Sequence, residues 1–158
     1  MPNVLLPIPH YKQSRPGACL PACVRMVLGG MDDEIAETHL ARVMGSYWFG
    51  TPASHVLHLS SIGYRVTYER TTFAQLRVHI ARQVPCIVFL RTGGLPYWDE
   101  DVPHAVVAVE IGETTVHLHD PALDTGPTTV DATAFLLAWA EMDYYCATIE
   151  PGLQIAHL

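Results

Sequence analysis

The segment from Gln13 to Gly30 places the tightest limits on the fold. A polar, turn-prone run (Gln13, Ser14, Arg15, Pro16, Gly17) changes abruptly at Cys19 into apolar sequence that Gly29-Gly30 ends. Cys19, Ala22/Cys23, Met26 and Val27 follow the i, i+3, i+4, i+7 spacing of a helix packed on a core. Pro21 would break a helix interior, but in the first turn its missing N–H costs nothing, because those N–H groups have no helical partner. The pattern predicts a loop feeding a buried helix that starts close to Cys19.

A thiol at a helix N-terminus sits where unpaired N–H groups and the macrodipole favour negative charge, which lowers its pKa toward the nucleophilic thiolate. Gln13, on the loop entering the helix, is placed to help those N–H groups hold the oxyanion of acyl transfer. Taken alone, Cys19 also reads as a small buried hydrophobe, as most free cysteines are. Partners elsewhere in the chain decide between the two.

Length and composition allow one domain over residues 1–158 with its own core. Only 16% of residues are charged, and the formal net charge of −7, with no basic cluster, argues against nucleic acid as a partner. No apolar run approaches the roughly 20 residues of a membrane helix, and the N-terminus lacks the pattern of a signal peptide. The expected location is therefore cytoplasmic, with no membrane contact. Cys19, Cys23, Cys86 and Cys146 lie in apparent helix and strand interiors, and read as reduced thiols.

Along the chain, residues 1–12 read as an extended lead-in. Asp32 or Asp33 is expected to cap a second helix through about Met44. Thr51-Pro52 starts a third, to about Ile62, with Gly63 as its C′ residue. Tyr64–Glu69 alternates as a strand. Thr71 or Thr72 opens a fourth helix with Phe73, Leu76 and Ile80 on one face, and Cys86–Leu90 is a buried central strand. A long loop, Arg91–Asp101, leads to two strands, His104–Ile111 and Thr114–His119, with Asp120-Pro121 ending the second. A last helix spans Asp131 to about Met142, a strand covers Tyr144–Ile149, and Pro151 begins the tail.

The two strands read as a hairpin turning at Gly112-Glu113. Residues whose numbers sum to about 225 then face each other, which sets His104 opposite Asp120, within side-chain reach. A thiol at a helix start and a His–Asp pair on a hairpin are the parts of Cys–His chemistry: the imidazole takes the thiol proton, and the carboxylate orients the imidazole and stabilises its cation. His117 and His119 alternate onto one strand face and His55 and His58 lie one turn apart on the expected third helix, but by the same alternation Asp120 and His104 fall on the opposite face from His119, so no metal site and no cofactor are expected. Trp48, Tyr97 and Trp98, in two glycine-flanked loops, are candidates to line a substrate cleft.

Gln13 followed by Cys19 and then Pro-Ala-Cys-Val-Arg-Met-Val-Leu resembles the nucleophile helix of the bacteriocin-processing cysteine peptidases (peptidase family 39) and their stand-alone relatives in the papain superfamily. His104-Ala-Val-Val-Ala-Val, the hairpin and Asp120-Pro121 resemble that family's second half, and Phe135-Leu-Leu-Ala-Trp139 its late helix. The likeness spans residues 7–150 in order. It implies an α+β, papain-like fold with an N-terminal helical half packed on an antiparallel sheet. It also implies Gln13 as oxyanion-hole amide, Cys19 as nucleophile, His104 as general base and acid, and Asp120 as its orienter. The family usually carries an acidic residue before the cysteine and a glycine after it, where this chain has Ala18 and Leu20, so Leu20 is expected to narrow the site.

The implied activity is hydrolysis of a peptide or protein substrate. The sequence contains neither a membrane segment nor a nucleotide-binding loop, so the domain is expected to act alone or with a separately encoded partner. Two alternatives stay open at this level: amide-forming acyl transfer by the same thiol, and a peptide-binding module of the same fold without turnover.

Overall fold

A computed structural model of the chain describes residues 5–152. The first four residues of the expected lead-in and the end of the tail lie outside that range. The buried helix of the first half, α1, runs Cys19–Gly29, so it does begin at the thiol, with Pro21 in its first turn. Its residues Cys23, Val24, Met26, Val27 and Leu28 enter the core.

The core's other wall is a six-stranded antiparallel sheet. Its strands are β1 (Tyr64–Arg70), β2 (Cys86–Arg91), β3 (Pro103–Ile111), β4 (Thr115–His119), β5 (Thr128–Asp131) and β6 (Tyr145–Pro151), in the spatial order β1-β6-β2-β3-β4-β5. β2 lies between β6 and β3, as its continuously apolar sequence requires. α1 packs on β3 and on α2 (Glu37–Val43). α3 (Phe73–Ala81) and α4 (Ala132–Ala140) meet through Phe73 and Phe135, whose ring centroids are 6.1 Å apart. Local caps explain where these last two begin: the side chain of Thr72 accepts from Gln75 N–H, and that of Asp131 from Thr133 N–H.

Several expectations need correction. The helix expected after Asp32 or Asp33 starts only at Glu37, because Asp32 adopts a left-handed φ of 62° and Asp33 accepts the Tyr64 hydroxyl at 2.7 Å instead of capping. The third helix, Ala53–Ile62, is 3₁₀ throughout. Its buried Val56 and Leu59 are three apart, the spacing that three residues per turn places in one row, and His55 and His58 stack in the next row with centroids 4.5 Å apart. Gly63 ends it at φ 97°, in the left-handed conformation expected of a C′ glycine.

The sequence reading also passed over β5, which pairs with β4 through Thr128, Thr129, Val130 and Asp131. The last helix ends at Ala140, two residues short of Met142, and the final strand starts at Tyr145 and includes Pro151.

The chain ahead of α1 is held against the β3–β4 hairpin. Leu6 N–H donates to Val109 O at 3.0 Å, and Gln13 N–H to Pro121 O at 2.7 Å. Between them two histidines interlock: His10 Nε2 donates to Leu123 O at 2.8 Å, His119 Nε2 donates to Ile8 O at 2.9 Å, and their Nδ1 atoms lie 3.2 Å apart. With both Nε2 protons used on carbonyls, that last contact is a hydrogen bond when one ring carries a second proton.

Gly126 closes over the pair. A Cβ there would come within 2.5 Å of His119 Nδ1 and 2.6 Å of His10 Nδ1. Gly126→Ala is therefore expected to lower stability by about 1–3 kcal/mol through overpacking, read from urea denaturation.

Candidate active site

Cys19 opens α1 with its side chain partly accessible, directly against His104. Burial pushes the thiol pKa up. The hydrogen bond and positive charge of His104, together with backbone donors at Ala105 and Leu20, outweigh that effect and leave Cys19 below the ordinary thiol value. Cys23, one turn on, has the opposite environment. It is fully buried, its thiol donates to Ala105 O at 3.3 Å, and its pKa is pushed well up by burial first and by the neighbouring Cys19 and Asp120 charges. Two thiols one turn apart on one helix thus have pKa values displaced in opposite directions. All four cysteines are unpaired.

His104 begins the buried part of β3 and is 7% exposed, while Asp120 follows β4 and is fully buried. His104 Nε2 donates to Asp120 Oδ1 at 2.7 Å. That leaves Nδ1 as the nitrogen for the thiol. Burial lowers the His104 pKa, but Asp120 and Cys19 raise it more, to about 9. Asp120 is pushed up by burial and more strongly down by His104, Trp98 and the Ala122 N–H, so it stays ionised.

These two residues do not meet as the sequence predicted. The turn lies one residue later than expected, with Gly112 N–H donating to Thr115 O at 2.8 Å. Glu110 then pairs with His117 and Ile111 with Val116, but Ala108 pairs with Leu118 and Val107 with His119, so Val109 is an extra residue in β3. Carried one step further, the register past this bulge sets Asp120 beside Val106, on the same face as His104 and diagonal to it. Were Val109 instead paired in the ladder, Asp120 would fall beside Val107, on the opposite face, and His119 would take its side. The bulge thus re-aims the strand, and the freed Val109 carbonyl is the one that Leu6 N–H occupies.

Asp120 Oδ1 also accepts Ala122 N–H at 2.9 Å, a local turn that Asp-Pro sequences favour. Its Oδ2 accepts the Tyr97 hydroxyl at 2.7 Å and Trp98 Nε1–H at 2.9 Å. Tyr97 and Trp98, candidates for a substrate cleft, thus turn their polar atoms inward onto the carboxylate. They also border an open hollow of about 240 Å³ with Asp99, Glu100, Ala122 and Leu123.

Gln13 is tied beside this cluster by its backbone bond to Pro121 O. One of its two Nε2 hydrogens is donated to Arg15 O at 3.1 Å, and its buried Oε1 has no partner among the described residues. Trp48, 85% exposed, sits at the tip of a tight hairpin closed by Tyr47 and Gly50. That hairpin is braced on the loop ahead of Cys19. Arg15 donates to Trp48 O at 3.1 Å, and Gly17, at φ 86°, lies so close to the Phe49 carbonyl that a Cβ would meet it at 2.9 Å. Leu20, expected to narrow the site, instead turns into the core and is 2% exposed.

Among the described residues no group of three or more His, Cys, Asp and Glu side chains could hold a metal ion, and no helix is long and apolar enough to cross a membrane. The remaining arrangement is a polarised thiol, an imidazole and a buried carboxylate in series.

Residues 5–147 match the model of the Peptidase C39-like family. The chain belongs to that family. Three solved structures share its fold: a Bacillus anthracis protein described as a C39-like peptidase (14% identity, 98% of this chain and 100% of that one, TM-score 0.78); the peptidase domain of Streptococcus ComA, a bifunctional ABC transporter involved in quorum sensing (15% identity, 91% and 98%, TM-score 0.75); and a double-glycine-motif protease of an AMS/PCAT transporter in complex with its leader peptide (18% identity, 96% and 99%, TM-score 0.73). No curated protein matches the sequence. The α+β architecture is accordingly that of the papain-like C39 peptidases.

Proposed function

We propose that this C39-like domain hydrolyses peptide bonds through Cys19, His104 and Asp120. The observation that carries the reading is the unbroken contact series from a thiol of lowered pKa, through His104, to a fully buried carboxylate. The thiolate attacks the peptide carbonyl, and the resulting oxyanion is held by the Cys19 N–H at the start of α1 and by the uncommitted Nε2 hydrogen of Gln13. As the tetrahedral species collapses, His104 Nδ1–H protonates the leaving amine. His104 then takes a proton from the water that attacks the thioester, and cleavage of the C–S bond restores the Cys19 thiolate beside protonated His104.

Asp120 holds the imidazole in this tautomer throughout. Trp48, on the hairpin beside the oxyanion loop, is offered to substrate. The leader peptide bound by the AMS/PCAT protease makes an extended peptide the first substrate class to test here.

The test is digestion of a peptide mixture by the wild type and by Cys19→Ala, read by mass spectrometry. Loss of the thiol is expected to lower cleavage by about 10³-fold or more. The pH dependence carries its own sign. Activity should rise as pH passes the lowered value of Cys19 and fall as pH passes about 9, where His104 loses the proton that the leaving amine needs. Alkylation of Cys19, which needs only the thiolate, should not fall on that alkaline side. Peptide cleavage unchanged in Cys19→Ala would refute the proposal.

A further inference from the structure

Asp120 is a carboxylate without water contact that accepts four hydrogen bonds. His104 and the Ala122 N–H share Oδ1. Both donors on Oδ2 come from one loop, Tyr97 and Trp98. This division matters because a carboxylate is symmetric, and a half-turn would exchange its two oxygens. Two fixed donors on Oδ2 remove that freedom and leave Oδ1 aimed at the imidazole.

The tyrosine can act only as a donor. Burial, and then the charge of Asp120, push its pKa far above the ordinary phenol value, so the hydroxyl keeps its proton. The indole has a second contact as well, edge-on to the imidazole with centroids 4.9 Å apart and planes at 60°, which limits rotation of the His104 ring.

The loop is built to hold this position. Thr92, fully buried, knots its two ends: its N–H donates to Val102 O, its hydroxyl donates to Glu100 O at 2.5 Å, and it accepts Val102 N–H at 2.9 Å. Asp101 Oδ1 adds a clasp by accepting Arg91 Nε and Gly93 N–H, each at 3.1 Å.

We propose that Tyr97 and Trp98 are positioning residues for the Cys19–His104 pair. Donating together to Oδ2, they fix the carboxylate so that Oδ1 holds His104 with Nδ1 facing the thiol. The role rests on the thiol-hydrolase reading and extends it, since both side chains act through Asp120 and the orientation of the His104 ring.

The experiment compares wild type, Tyr97→Phe, Trp98→Phe and the double variant as full chains. It reads the rate of Cys19 alkylation by iodoacetamide against pH, the NMR signal of the His104 Nε2 proton, and the melting temperature. Loss of either donor is expected to slow alkylation at pH about 6 by roughly 3- to 10-fold, with a larger drop in the double variant. The lower edge of the pH profile should move toward ordinary thiol values, and the Nε2 proton signal should shift and broaden.

Variants that melt earlier yet keep the wild-type profile and proton signal would overturn the proposal, leaving the two rings as packing only. Should Trp98→Phe fail to fold, Tyr97→Phe decides alone, since it removes one hydroxyl and keeps the ring. An ordinary thiol profile for Cys19 in the wild type itself would overturn the thiol-hydrolase reading, and this proposal with it.

Discussion

Asp120→Ala is expected to lower stability by about 3–5 kcal/mol and, in the fraction that stays folded, to remove the low-pH reactivity of Cys19. The substitution deletes the one acceptor that four buried donors share: His104 Nε2, Ala122 N–H, Tyr97 Oη and Trp98 Nε1. None of them has another hydrogen-bond acceptor among the described residues, and each donor left unpaired away from water carries its own desolvation cost.

The imidazolium also loses the charge that holds its pKa up to about 9, so the thiol loses its cationic neighbour. Asp120→Asn keeps the volume but offers one acceptor oxygen where two are used, and should recover only part of the loss. Urea denaturation and alkylation at pH about 6 check both variants. A stability change under about 1 kcal/mol would mean that the cluster contributes far less than its burial implies.

Deleting Val109 is the second large effect. Removing the bulged residue leaves Ala108 opposite Leu118 and Glu110 opposite His117, so His104 and Asp120 keep their places, while the buried Val109 side chain and the carbonyl that Leu6 N–H uses are lost. The expected result is a protein destabilised by several kcal/mol in which Cys19 of the folded fraction keeps its reactivity at pH about 6. A folded variant whose Cys19 alkylates like an ordinary thiol would contradict this.

What the sequence revealed and what it hid divide along the range of the interactions. Pro21, Thr72 and Asp131 act within a turn of their own positions, and each marks a helix start that the structure shares. The papain-like fold and the C39 family were legible because the nucleophile helix, the hairpin and the late helix keep their order and local residues. The ten-residue 3₁₀ stretch was not, since its buried Val56 and Leu59 are three apart, a spacing that an α-helix also puts on one face.

The bulge was hidden for a different reason. Nothing in Ala-Val-Val-Ala-Val-Glu marks Val109, whose carbonyl is claimed by Leu6 from more than a hundred residues earlier. The sequence placed His104 and Asp120 side by side on an even-numbered register. The structure joins them diagonally through a 2.7 Å hydrogen bond. Tyr97 and Trp98 were visible as loop aromatics, but their inward aim depends on the Thr92 knot and on Asp101 gripping the loop's first residues. Local composition carries no trace of either.

The most direct measurement of the central claim is the rate of Cys19 alkylation by iodoacetamide from pH 4 to 10, with peptide mapping, in the wild type and in His104→Ala. The predicted result is selective labelling of Cys19 at pH about 5 to 6, ahead of Cys23, Cys86 and Cys146, and its loss in the variant. Labelling that rises only near the ordinary thiol value, equally in both proteins, would contradict the account.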